Sequence, residues 1–142
     1  MQKKKLKLGL APTRRNVFSV EDALKHKKLI ENKLRSWDVD FINLDSLNEE
    51  GLLFNRLEVG KAAKIFTDAG VDALFAPHVN FGTEDAVAKC ARLVGKPLLL
   101  WGPRDEAPLP DGNRLRDTQC GLFATSKILR RYGVAFSYIV NS

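Results

Sequence analysis

The sequence predicts a three-layer α/β sandwich around a five-stranded parallel sheet. Two observations carry that expectation. Short apolar runs alternate along the chain with amphipathic stretches of about 10 to 15 residues, the pattern of βαβ units. The runs themselves are almost unbroken by polar residues, as strands covered on both faces must be. At 142 residues with 44% hydrophobic and 28% charged side chains, the chain has the length and composition of a single soluble domain with a real core.

The elements follow in order. Leu6–Ala11 forms the first strand, stopped by Pro12. Ser19 is an N-cap, with Glu21 and Asp22 placed to suit the helix dipole. From there Val20, Ala23, Leu24, Ile30, Leu34 and Trp37 share one helical face. Val39–Leu44 is a second strand. A second helix runs from about Asn55 to Ala69, with Val59, Ala62, Ala63 and Phe66 inward and Gly70 as its stop. Val71–Ala76 is a third strand broken by Pro77, and Thr83 caps a third helix that Gly95 ends. Leu98–Trp101 is the fourth strand, Gly121–Tyr132 the fourth helix, and Val134–Val140 the fifth strand. This is a flavodoxin- or Rossmann-like arrangement. It lacks a final helix to cover the fifth strand, so residues 1–142 are expected to be the first domain of something longer.

Composition narrows the function. A net charge of +6 raises nucleic-acid binding, but the basic residues are dispersed among acidic ones, and no aromatic platform or nucleic-acid motif accompanies them. No apolar run approaches the ~20 residues that span a bilayer, and no signal peptide precedes the first strand, so neither nucleic acid nor membrane is an expected partner and a cytoplasmic location follows. Cys90 and Cys120 lack a metal-site spacing and are expected to be buried, reduced thiols. His26 is expected to be solvated on a charged helix face, and the Glu84–Asp85 pair to compensate a helix dipole.

Function is expected at the carboxyl ends of the strands, where open α/β sheets bind ligands. The long loop after Trp101, about 17 residues, exceeds what compact domains carry without a reason. There the topology would gather Arg14, Arg15, Asp45, Ser46, His78, Asn80, Trp101, Arg104 and Asp105. Arginine and asparagine donors beside a flat aromatic face suit sugar hydroxyls or an anion. Alternatively, Arg104 and Asp105 pair with each other or with Arg114, Arg116 and Asp117 to pin the loop. The first turn has no Gly-x-Gly-x-x-Gly, and the chain has no Walker A loop and no nucleophile elbow. His78, better placed than His26, has no carboxylate pair beside it for a metal.

Several segments are distinctive: Gly9-Leu10-Ala11-Pro12-Thr13-Arg14-Arg15, then Asn80-Phe81-Gly82-Thr83-Glu84-Asp85-Ala86, then Leu99 through Pro108 with Leu115 through Gly121. Through them, nearly the whole chain resembles the N-terminal domain of L-fucose isomerase-like proteins, more distantly related to L-arabinose isomerases. The resemblance implies a domain of a metal-dependent ketol isomerase that interconverts an aldose and a ketose through an enediol. It implies Mn2+ in the full-length enzyme, bound by two carboxylates and a histidine of later domains, with no cofactor and no catalytic or metal residue in this chain, which alone would be inactive. It further implies that this domain meets the monosaccharide in a neighbouring subunit, through an arginine matching Arg14 or Arg15. Some members add a tryptophan where Val79 stands here, leaving Asn80 or Phe81 as substitutes. Trp101 and Arg104 are carried over to the rim or to loop structure and a subunit interface. The alternative is a free-standing flavodoxin-like binding or scaffold module.

Overall fold

The computed structural model describes residues 3–140 and 142. Its five strands are β1 (Lys7–Leu10), β2 (Asp40–Ile42), β3 (Ala73–Pro77), β4 (Leu98–Gly102) and β5 (Ser137–Val140). All pair in parallel in the order β2-β1-β3-β4-β5. The helices are α1 (Val20–Ser36), α2 (Val59–Ala69), α3 (Glu84–Val94) and α4 (Thr118–Arg131). The three-layer α/β sandwich is therefore as expected, and this strand order is the flavodoxin-like one, whose topological switch point lies between β1 and β3.

Alternation along the strands divides the core. Leu74, Ala76, Leu98 and Leu100 face α2, α3 and α4, where Phe66, Val87, Cys90 and Leu122 complete the larger cluster. Leu10, Phe75 and Trp101 face the other way, toward Ala23, Ile30 and Leu34 of α1. Among the described residues three α-helices thus cover one face and α1 alone the other.

Local chemistry sets most boundaries. Ser19 caps α1, its hydroxyl accepting from the Asp22 amide at 3.1 Å, and Gly70 and Gly95 end α2 and α3 in the left-handed conformation. Trp37, expected inward, is 64% exposed, because α1 ends at Ser36 beside a part of the sheet that no described helix covers. Pro77 ends β3 inside the sheet instead of breaking it. A last strand residue needs no amide, and its carbonyl accepts from the Thr13 amide at 3.0 Å.

Two departures have tertiary causes. β2 is only three residues long, and the chain after it packs Leu44, Leu47, Leu52 and Leu53 into the core without regular structure, Leu53 bridging to Thr13. α4 begins at Thr118, three residues earlier than its own sequence suggests. The adjacent Asp117 makes no side-chain cap, and the Asp105 carboxylate accepts from the Thr118 amide at 3.0 and 3.2 Å instead. A cap supplied from 13 residues upstream leaves no local signature. Of the cysteines, Cys90 is buried, its thiol pushed up to about 12 by desolvation. Cys120 is exposed, contrary to expectation, because it points away from the α4 core face.

Candidate functional site

At the switch point the loop after β1 (residues 11–19) meets the loop after β3 (residues 78–83). Hydrogen bonds lock the two loops together. Thr13 bridges to both Leu53 and His78, and its hydroxyl accepts from the Thr83 amide at 3.0 Å while donating to the Leu53 carbonyl at 2.7 Å. The Thr83 hydroxyl, expected to cap α3, donates to the Arg14 carbonyl at 2.7 Å, so the cap is given up to join the two loops. The Asn80 side chain, fully buried, accepts from the Arg15 amide at 2.7 Å and the Gly82 amide at 3.1 Å. Gly82 takes φ +84, and a Cβ there would meet Thr13 and His78 side chains at 2.7 and 2.8 Å, so both conformation and space require glycine.

The two candidate arginines separate cleanly. Arg14 is buried and donates from Nε and Nη2 to the Glu50 carboxylate at 2.5 and 2.8 Å, and from Nη1 to Asn16 at 2.7 Å. Its guanidinium also lies 3.7 Å from the Phe54 ring centroid. Arg15 keeps 35% of its side chain exposed. Its guanidinium stacks 4.3 Å from the Phe81 ring centroid and pairs with Glu84 through one nitrogen. Phe81 stacks in turn on Phe18, with centroids 5.8 Å apart. The result is a half-exposed cation held over one ring of an aromatic pair, a geometry that leaves N–H donors free for a ligand.

The rim is assembled from outside as well. Gly121 of α4 lies so close to the β3 loop that a Cβ there would overlap the Phe81 carbonyl, with the Phe81 Cα at 2.8 Å. Beneath it the buried His78 ring shares a 2.9 Å hydrogen bond between Nε2 and the Thr125 hydroxyl. Its Nδ1 has no partner among the described residues. Desolvation lowers its pKa from 6.5 to about 4, so it is neutral at pH 7 and belongs to the scaffold. The unfolded chain therefore takes up this proton first as pH falls. The stability is present above pH 6.5 and lost toward pH 4, at up to about 1.4 kcal/mol per pH unit. Urea unfolding between pH 7 and 4.5 should show the gap between wild type and His78→Gln narrowing as pH falls. Parallel pH profiles would refute this.

Trp101 and Arg104 sit elsewhere. The Trp101 ring faces the α1 side of the sheet, 6.1 Å from Phe75. Arg104 is exposed and lends its carbonyl to Arg116 at 2.8 Å. Arg116 is the buried pin of the long loop. It forms a two-point pair with Glu106 at 2.9 and 3.1 Å and lies 3.6 Å from Asp22. Partial desolvation of Glu106 would raise its pKa, but its backbone hydrogen bond and Arg116 outweigh that and hold it below the usual value. His26, expected in solvent, is instead drawn into this cluster, 3.3 Å from Asp22 and 3.6 Å from Glu106. Asp22, His26 and Glu106 bring donor atoms within 4.8 Å of one another. The Arg116 guanidinium already supplies the positive charge there, so these residues do not fit a divalent cation.

Sequence reasoning named Arg15 and Phe81 as candidates, but not Phe18, Glu84 or Gly121, which pack against them. Glu84 carried a signal that its position in a helical first turn concealed. Among the described residues no helix is long and apolar enough to cross a membrane. Residues 9–142 match the family described as fucose/sulfoquinovose isomerase, N-terminal domain. No curated protein matches the chain.

Proposed function

The chain belongs to the fucose/sulfoquinovose isomerase N-terminal domain family, and from that membership we propose that it is the substrate-recognition and assembly domain of a sugar ketol isomerase. The observation that carries the reading is Arg15, half-exposed at the switch point and laid on Phe81. A guanidinium with free donors can hydrogen-bond a sugar hydroxyl or an anionic substituent, while the Phe81 and Phe18 rings offer an apolar face. Asn80 and Arg14 act as supports, the first fixing the Arg15 backbone and the second anchoring the loop through Glu50. Trp101 and Arg104 serve the fold and contacts with other parts of the protein.

The remaining domains of the same chain would hold the Mn2+ and perform the proton transfer, as the family resemblance implies. Neighbouring subunits of a cytoplasmic oligomer would present this rim to one another's active sites. In the full-length protein, Arg15→Ala and Phe81→Ala are expected to lower kcat/KM toward L-fucose or sulfoquinovose by ~1–3 kcal/mol, about 5- to 150-fold. In Arg15→Ala the native fold should persist, because the Arg15 side chain keeps 35% of its surface in solvent. Wild-type kinetics in Arg15→Ala would remove the rim from substrate recognition. A full-length wild type inert toward both sugars would remove the sugar class itself.

A further inference from the structure

The uneven covering of the sheet leaves a feature that sugar recognition does not use. Beside α1 lies an apolar groove of about 720 Å3. Leu8, Phe75, Leu99, Trp101 and Ile139 form its floor, contributed by four adjacent strands. Leu29 of α1 and Trp37, just past its end, form one wall. These are large side chains left in water: Leu29 is 55% exposed, Trp37 64% and Ile139 45%. Parallel sheets are covered on both faces, and a contiguous apolar surface of this kind marks a docking site.

We propose that the groove seats an amphipathic helix formed by the segment that follows Ser142 in the full-length protein. Two observations select this occupant over others. The family places this domain at the N-terminus of a longer protein, so chain is available to fill the groove. Ser142 itself lines the groove, its hydroxyl accepting from the Trp101 indole N–H at 2.8 Å, so whatever follows it starts on the floor. A parallel strand is normally followed by a helix that packs back on the sheet. α1, with 17 residues, already occupies half of this face, and a helix of about that length, ~25 Å, would lie alongside it. Its buried stripe is aliphatic, matching the floor. Lys33 stands at the rim, so the flank facing α1 there carries an acidic residue. The inference is independent of the substrate.

The test is hydroxyl-radical footprinting, read by mass spectrometry, of the full-length protein and of the chain ending at Ser142. Leu29 and Trp37 are expected to oxidise several-fold more slowly in the full-length protein, while Leu57, 94% exposed on the opposite side of the molecule's core, is unchanged. Leu99→Lys in the full-length protein puts a charge in the floor and should return Trp37 to rapid oxidation. That variant keeps the test decisive even if the shorter chain does not fold. Crosslinks from Lys33 should fall within about 30 residues after Ser142, the reach of one loop and one helix. Equal oxidation in both proteins overturns the proposal. So do crosslinks to a distant domain, or protection that rises with the shorter chain's concentration, which would assign the groove to a second copy.

Discussion

Alanine at Gly121 is expected to destabilise the protein by at least about 3 kcal/mol, the upper end of overpacking effects. Two effects compete at this position. Within a helix, alanine is favoured over glycine by about 1 kcal/mol, and an exposed glycine in α4 would gain that much. Here the added Cβ would overlap the Phe81 carbonyl, with the Phe81 carbonyl carbon at 2.5 Å and its Cα at 2.8 Å. Backbone cannot rotate out of the way as a side chain can, so α4 and the β3 loop must separate. Because Phe81 carries the Arg15 guanidinium, the displacement should also lower kcat/KM in the full-length enzyme. Urea unfolding and sugar kinetics of Gly121→Ala check both parts. An unchanged midpoint would mean that the loop yields freely and that Gly121 does not position the rim.

Arg14→Ala is the second large effect, expected at about 3–5 kcal/mol. The arginine side chain is 7% exposed and its Glu50 partner 25%, so truncation strands a mostly desolvated carboxylate. It also removes the Asn16 hydrogen bond and the contact with Phe54. Replacing both members, as Arg14→Met with Glu50→Leu, should recover most of the loss, since no charge is then left unpaired. Denaturant unfolding of the single and double variants reads the difference. A single variant as stable as wild type would show that the pair contributes nothing, and would reopen Arg14 as a ligand contact. Set beside Arg15→Ala, the outcome divides adjacent arginines by role: one variant loses stability, the other loses substrate affinity.

Much of the fold was legible in the chain itself. The apolar runs at Leu6–Ala11, Val71–Ala76 and Leu98–Trp101 located three strands to within two residues at each end. Ser19, Gly70 and Gly95 marked helix ends because caps act through their own neighbours. Where the sequence misled, the deciding partner was distant. The start of α4 depended on Asp105, the cap of α3 was surrendered to Arg14, and His26 was drawn to Glu106 across 80 positions of sequence.

The site shows the same division. The sequence by itself determined a parallel α/β sheet, a polar rim at its carboxyl edge and a family resemblance that the comparison with known families bears out. All of these rest on periodicity, local capping and ordered motifs, which depend on neighbours within a few residues. Tertiary structure alone decided which of Arg14 and Arg15 stays open, that Asn80 holds backbone, that Trp101 looks onto the opposite face, and that Gly121 sets Phe81. Each of those outcomes turns on where a charge or a carbonyl finds its partner once the chain has closed. A guanidinium is a ligand contact only if no buried carboxylate satisfies it first, and Glu50 lies 36 residues away in sequence.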